Sequence, residues 1–296
     1  MSEDIYKVTL YMTKSQWEEM SSMNALQGKP NWVGLYHEGV QNEEYQKHLS
    51  RFQIQSSDSD SEDIECEPTQ LQPMEVLAKF DPRSMHIDHT LIIGKRSTGK
   101  TYLAKDIIKH TGISTGIVIT PHRQEYQLPN TEMYEEYCHD TIDELMTSQR
   151  IKIKERSDAC DFNRDLRKFL VFDDCFHTML NEHMKHKTFR CLVSNNRQFY
   201  LTLIHTQSFA LPLPPIYRTN IDVVFVFRDS NVSNRKRIYE LYGGIFESFQ
   251  DFDRYMTEYT KEPYQCMVIY NAARTSKIKD CVFWYSVDQG MPCCGF

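Results

Sequence analysis

The chain has 296 residues, 40% of them hydrophobic and 25% charged, with a formal net charge of −7. These fractions are typical of a globular protein and exclude wholesale disorder, a collagen-like fibre and a coiled-coil rod. The charge is uneven: residues 1–85 hold 15 acidic and 7 basic side chains, leaving 26 acidic and 27 basic over 86–296, so the overall acidity does not exclude a nucleic-acid partner for the later region.

The nine cysteines, Cys66, Cys138, Cys160, Cys175, Cys191, Cys266, Cys281, Cys293 and Cys294, are odd in number and lack a C-x-x-C pair. That is the pattern of reduced thiols, not of a disulfide framework or a structural zinc site. Residues 1–14 carry acidic side chains and no sustained apolar stretch, which predicts no signal peptide. The longest apolar runs, such as 223–227, fall far short of the roughly 20 residues of a spanning helix, so we expect a soluble chain with no direct membrane span.

In chain order, residues 1–70 read as an N-terminal extension with aromatic islands at 5–11, 17 and 32–36. It ends in an acidic, serine-rich tract at 56–67 whose low hydrophobicity predicts a flexible linker. Its serines among acids also suit an acid-directed kinase. Residues 75–296 read as one domain, in which from about residue 86 the texture changes to short β-rich runs alternating with helical stretches. Strands are predicted at 89–93, 116–120, 169–172, 201–205, 223–227, 265–270 and 281–285, and helices at 100–110, 132–150, 176–191, 234–242 and 249–259. Short apolar strands separated by helices predict an α/β fold with a mostly parallel sheet covered on both faces.

The strongest local signal is Gly94-Lys95-Arg96-Ser97-Thr98-Gly99-Lys100-Thr101, a full match to G-x-x-x-x-G-K-[ST] between an apolar run and a helical run. Backbone N–H groups of such a loop point at phosphate oxygens, and the helix N-terminus adds a favourable dipole. Lys100 is expected on the β- and γ-phosphates of ATP and the Thr101 hydroxyl on Mg²⁺. A second motif, Phe169-Leu170-Val171-Phe172-Asp173-Asp174, is an apolar strand ending in two carboxylates, the form of a Walker B element. Asp173 is expected to hold Mg²⁺ and Asp174 to orient or deprotonate the attacking water, although many ATPases carry Glu there and an N-cap role is the plain alternative. The next apolar run, 201–205, leads into Thr206-Gln207. A polar residue at that tip suits P-loop ATPases with an extra strand between the P-loop and Walker B strands, with Gln207 facing the γ-phosphate.

These elements in this order resemble the FtsK/HerA-type motor ATPases, and more closely the genome-packaging ATPases of nucleocytoplasmic large DNA viruses. The likeness extends to Phe80-Asp81-Pro82-Arg83-Ser84-Met85, Leu211-Pro212-Leu213-Pro214-Pro215-Ile216-Tyr217-Arg218-Thr219-Asn220-Ile221-Asp222, Asn234-Arg235-Lys236-Arg237-Ile238-Tyr239 and Tyr242-Gly243-Gly244. It covers roughly 75–288. One departure is Asn195-Asn196-Arg197-Gln198, where such proteins often have Asn-Gly-Arg-His. The resemblance implies a RecA/ASCE-like fold and an ATP-driven, ring-forming translocase of double-stranded DNA, contacted without regard to sequence. It further implies capsid or inner-membrane-associated viral partners, and a place at assembly sites in the host cytoplasm or in the virion.

A ring motor needs an arginine supplied across the subunit boundary, for which Arg218, Arg197 and Arg190 are candidates, Arg218 first for its place after the proline-rich turn. Basic clusters at 150–156, 164–168 and 235–237 are candidate DNA-phosphate contacts, or simply solvated faces. Cys175, His177, His183 and His186 match no zinc spacing, and the three histidines read as helix-surface residues. A P-loop nucleotide or nucleoside kinase, and an ATP-binding capsid scaffold with little turnover, remain alternatives. The acidic extension is expected to cover a basic surface until DNA or a capsid partner displaces it.

Overall fold

The apolar runs read from the sequence become the centre of a single sheet. The computed structural model describes residues 74–85, 87–122, 126, 128–161, 165–175 and 183–287. These lie in the unit Gln70–Phe296. The N-terminal extension and its 56–67 linker, Arg164 and His177 fall outside the described residues.

The strands are β1 (His89–Ile93), β2 (Gly116–Ile119), β3 (Thr131–Tyr134), β4 (Lys168–Phe172), β5 (Leu201–Gln207), β6 (Val223–Phe227), β7 (Gln265–Tyr270) and β8 (Val282–Ser286). Their spatial order is β3-β2-β4-β5-β1-β6-β7-β8. Pairing from β3 across to β6 is parallel, and β7 and β8 close the far edge antiparallel. Every residue of β1, β2 and β6 is buried, which is why these strands read as unbroken apolar runs instead of alternating ones.

Burial on both sides follows from helices on both faces. Leu91 and Ile93 of β1 join a core layer with Leu170, Phe172, Leu203 and Val224, packed by helices α2 (His139–Asp158), α3 (Lys187–Asn195), α4 (Pro215–Arg218), α5 (Val232–Tyr242) and α6 (Phe249–Glu258). Ile92 points the other way, into a layer with Val118, Val171, Ile204 and Phe225 packed by α1 (Lys100–Thr111). A four-residue turn of helix, α7 (Ile278–Cys281), leads into β8. Each large apolar side chain so buried contributes about 1.5–3 kcal/mol, so the central strands anchor the loops that leave them.

The sequence reading differs from the structure at two of the expected helices. The helix expected over 132–150 is instead edge strand β3 followed by α2. Thr131–Tyr134 pairs in parallel with β2, and the chain is extended at Cys138 before the helix begins. The edge position leaves β3 only partly buried, so its composition carried no continuous apolar run. The helix expected over 176–191 has its first part outside the described residues, a turn at 183–186, and a shorter helix, α3, capped by His186, whose side chain accepts from the Thr188 N–H. His183 and His186 therefore lie on a turn, not on a helix surface. They meet His139, with ring centroids 5.0 Å and 3.7 Å away respectively.

Parallel strands send their carboxyl ends to one edge, where ligands of open α/β sheets bind. Because β5 lies between β1 and β4, the loop after β1, the carboxylates after β4 and the tip of β5 meet there.

Candidate functional site

The loop Gly94–Thr101 leaves β1 under tight backbone control. The Gly94 N–H donates to the Gln207 carbonyl at 3.0 Å, continuing the Ile93↔Gln207 register across to β5. A side chain at Gly94 would place its Cβ 2.5 Å from Thr98 Oγ1 and 2.8 Å from Phe227 Cβ, so glycine is required by close approach. Ser97 and Gly99 both have positive φ, 62° and 106°, which turns the loop back into α1. The Lys95 carbonyl accepts from Thr98 Oγ1 at 2.8 Å and from Lys100 Nζ at 3.0 Å. Lys100 thus arches over its own loop, while Arg96 is exposed at the tip.

Lys95 ties this loop to the end of β6. Its ammonium lies 2.8 Å from Asp229 Oδ1 and donates to Ser230 Oγ at 3.0 Å. Burial alone would raise the Asp229 carboxyl. Hydrogen bonds from Lys95, the Asn231 N–H and the Asn234 side chain outweigh it and hold the group below the usual carboxylate range.

The second motif is fixed against the first. Asp173 is 3% exposed; its Oδ2 accepts from Thr101 Oγ1 at 3.0 Å and its Oδ1 from Thr206 Oγ1 at 2.5 Å. The same Thr206 oxygen accepts the Asp174 N–H at 3.0 Å. Thr206 therefore sets the orientation of both carboxylate residues, a part the sequence reading missed; the signal available was a hydroxyl residue one position before the strand-tip glutamine.

Asp174 departs from its strand in the left-handed region, φ 52°, and its side chain is 49% exposed at the edge of the site. Ser208 Oγ donates to its Oδ1 at 3.3 Å and His122 Nε2 lies 3.9 Å from Oδ2. Asp174 thus has its carboxylate open to solvent. It begins no helix among the described residues, which end at Cys175 on that side. Burial pushes the Cys175 thiol up to about 12, leaving it a packed, unreactive group.

Gln207 is 2% exposed, its Oε1 accepting from the Leu211 N–H at 3.3 Å. Its Nε2 is buried and has no hydrogen-bond partner among the described residues. A buried donor left unmatched costs free energy. Here it lies on the residue whose carbonyl holds Gly94.

These residues form a donor set suited to Mg²⁺ and a polyphosphate. Thr101 and Asp173 offer hard oxygen ligands side by side, as Mg²⁺ prefers. The loop N–H groups, the Lys100 ammonium and Gln207 Nε2 are donors of the kind that bind phosphate oxygens. Among the described residues, no group of three His, Cys, Asp or Glu side chains is arranged to hold a metal ion.

The two leading arginine candidates lie elsewhere. Arg197 pairs with Asp222 and, at 3.3 Å, with Asp88, carboxylates that precede β6 and β1 at the opposite edge of the sheet. Its neighbour Asn196 is 5% exposed and donates to the carbonyls of Asp88 and Leu201 at 3.0 Å each, so this stretch clamps strand starts. Arg218 ends α4, four residues before Asp222, with its Nε buried and without a hydrogen-bond partner among the described residues. Neither arginine meets the phosphate loop of its own chain.

The basic clusters are partly committed to packing. Arg156 donates to the Tyr200 hydroxyl at 2.6 Å, Arg150 lies 5.0 Å over the Phe199 ring, Arg167 pairs with Asp165 and Arg235 with Asp253. Lys154 and Arg237 are exposed and make no ion pair among the described residues. No helix of the described residues is long and apolar enough to cross a membrane.

No model of a known protein family matches the chain. It is 29% identical over 218 residues to the uncharacterized protein L437 of Acanthamoeba polyphaga mimivirus, covering 71% of this chain and 76% of that one. It is 29% identical over 202 residues to the uncharacterized protein 088R of Invertebrate iridescent virus 3, covering 66% and 73% respectively. Among solved structures it is similar to the genome packaging NTPase B204 of Sulfolobus turreted icosahedral virus 2 in complex with AMPPCP, at 15% identity and a TM-score of 0.49, over 69% of this chain and 100% of that one.

Proposed function

We propose that this chain is a Mg²⁺-dependent ATP hydrolase whose turnover drives double-stranded DNA into a viral capsid from a ring of identical subunits. The observation that carries the ATPase reading is the bond from Thr101 Oγ1 to Asp173 Oδ2, 3.0 Å, beside the unmatched Gln207 Nε2. It joins the two motifs on which such hydrolysis depends. The DNA-packaging part rests on the motif resemblance across roughly 75–288 and on the viral relatives.

Thr101 and Asp173 hold the Mg²⁺, which neutralises charge on the phosphate oxygens. The loop N–H groups and Lys100 bind and orient the phosphates. Gln207 donates its side-chain amide to the terminal phosphate, and Asp174 accepts a proton from the attacking water at its exposed carboxylate. Arg218, unengaged through Nε, is the first choice for a group donated to a neighbouring subunit's phosphate, with Arg197 second. Capsid or inner-membrane-associated proteins are the proposed partners, at assembly sites in the host cytoplasm or in the virion.

The test is hydrolysis by the purified full chain with Mg²⁺ and ATP, with and without double-stranded DNA, beside Lys100→Ala. DNA-stimulated hydrolysis by a ring, abolished in the variant, supports the motor. Phosphate transfer to a nucleoside or nucleotide by a monomer moves the assignment to a kinase. Tight ATP binding without turnover moves it to a scaffold.

A further inference from the structure

Two aromatic side chains flank the phosphate loop where it enters α1, and the chemistry assigned above uses neither. The Tyr264 ring packs directly on Gly99: a Cβ on that glycine would lie 2.6 Å from Tyr264 Cδ1. Tyr102, the residue after Thr101, meets the same ring edge-on at a centroid distance of 6.0 Å. It is 40% exposed, and Lys105 Nζ lies 5.5 Å from its centroid.

Tyr264 is held in place at a cost. Its φ is 62°, a left-handed conformation disfavoured for a residue with a bulky side chain, and such strain gathers at ligand sites. The backbone on either side is pinned: the Tyr264 carbonyl accepts from the Val287 N–H at 3.1 Å and the Gln265 N–H donates to the Glu262 carbonyl at 3.2 Å. The ring is half-buried, wedged against the loop and still reached by solvent. Ser97, in the loop after β1, and Asp174, just after β4, also have positive φ, 62° and 52°.

Resting on the phosphate-loop reading, we infer that Tyr264, with Tyr102 beside it, is the stacking platform for the base of the bound nucleotide. The loop and Lys100 fix the triphosphate, so the nucleoside lies at the α1 entrance, where both rings stand. An aromatic platform supplies stacking energy through the π-face that every base has. The site is thereby specific for a nucleoside triphosphate over a bare polyphosphate.

The experiment measures the affinities of the full-length protein for Mg-ATP and for Mg-tripolyphosphate by calorimetry, in wild type, Tyr264→Ala, Tyr264→Phe and Tyr102→Ala. Wild type should prefer ATP. Tyr264→Ala should weaken ATP about ten- to a hundredfold and leave tripolyphosphate unchanged. Tyr264→Phe should behave as wild type, and the exposed Tyr102→Ala should weaken ATP alone, by less. Equal wild-type affinities for the two ligands, or loss or retention of both in Tyr264→Ala, overturn the platform while leaving the loop assignment standing. If wild type binds neither, the phosphate-loop reading fails and takes the platform with it.

Discussion

The Thr206 hydroxyl donates to Asp173 Oδ1 at 2.5 Å and accepts the N–H of Asp174 at 3.0 Å, so one oxygen on β5 orients both carboxylate residues that end β4. Thr206→Val keeps the shape and removes that oxygen, so Asp173 loses one hydrogen bond to its carboxylate and the Asp174 N–H loses its acceptor. The expected cost is about 1–3 kcal/mol in urea unfolding, with a loss of ATP turnover that Thr206→Ser restores. A variant of wild-type stability and activity would show that the strand end holds its form without the hydroxyl.

Gln207 separates function from stability. Its Nε2 has no partner among the described residues, and Gln207→Met gives up only the acceptor of the 3.3 Å bond from the Leu211 N–H, so stability should fall by no more than about 1 kcal/mol, the worth of one hydrogen bond. Turnover should fall by roughly 10²–10³, the usual effect of deleting one donor to developing charge, while ATP binding persists. A large loss of stability with unaltered turnover would reassign the side chain to packing.

The Gly99 backbone has φ 106°, and its α-carbon faces the Tyr264 ring. Gly99→Ala is expected to cost about 1–3 kcal/mol through strain and to loosen binding of ATP and of tripolyphosphate together. Thermal melts and calorimetry on the same samples test this, and unimpaired binding of both ligands contradicts it.

Two histidines make the fold acid-sensitive. His89 and His205 are fully buried in β1 and β5 with ring centroids 5.1 Å apart. Burial, and then the charge of Arg197, lower His89 to about 3; burial, and then His89, lower His205 well below its ordinary value. The unfolded chain protonates each near pH 6.5, so between that pH and about 3 it binds more protons than the native state. Stability should therefore fall as pH drops below 6.5, by about 1 kcal/mol per unit at most for each histidine. Urea midpoints that stay flat from pH 7 to pH 5 would refute this.

The extent to which the site was legible from sequence follows from the range of the interactions. Gly94–Thr101 was readable because a phosphate loop is local: its glycines, lysine and threonine act through backbone only a few bonds away. The 169–174 run and the 201–207 run were readable for the same reason, each an apolar strand with polar residues at its tip. Edge strand β3 was not, because half its surface faces solvent and its pairing with β2 lies outside its own pattern.

The fold class and the phosphate loop were thus properties of the sequence by itself, set by apolar periodicity and short-range backbone demands. Only the tertiary structure brought Thr101 against Asp173, from positions 72 residues apart, by seating β5 between β1 and β4. Only it put Thr206 between the two carboxylate residues, engaged Lys95 with Asp229, and sent Arg197 to the opposite edge of the sheet. Those relations are set by strand order and register, which residues far apart in the chain decide together through packing and hydrogen bonding, and which no local pattern records.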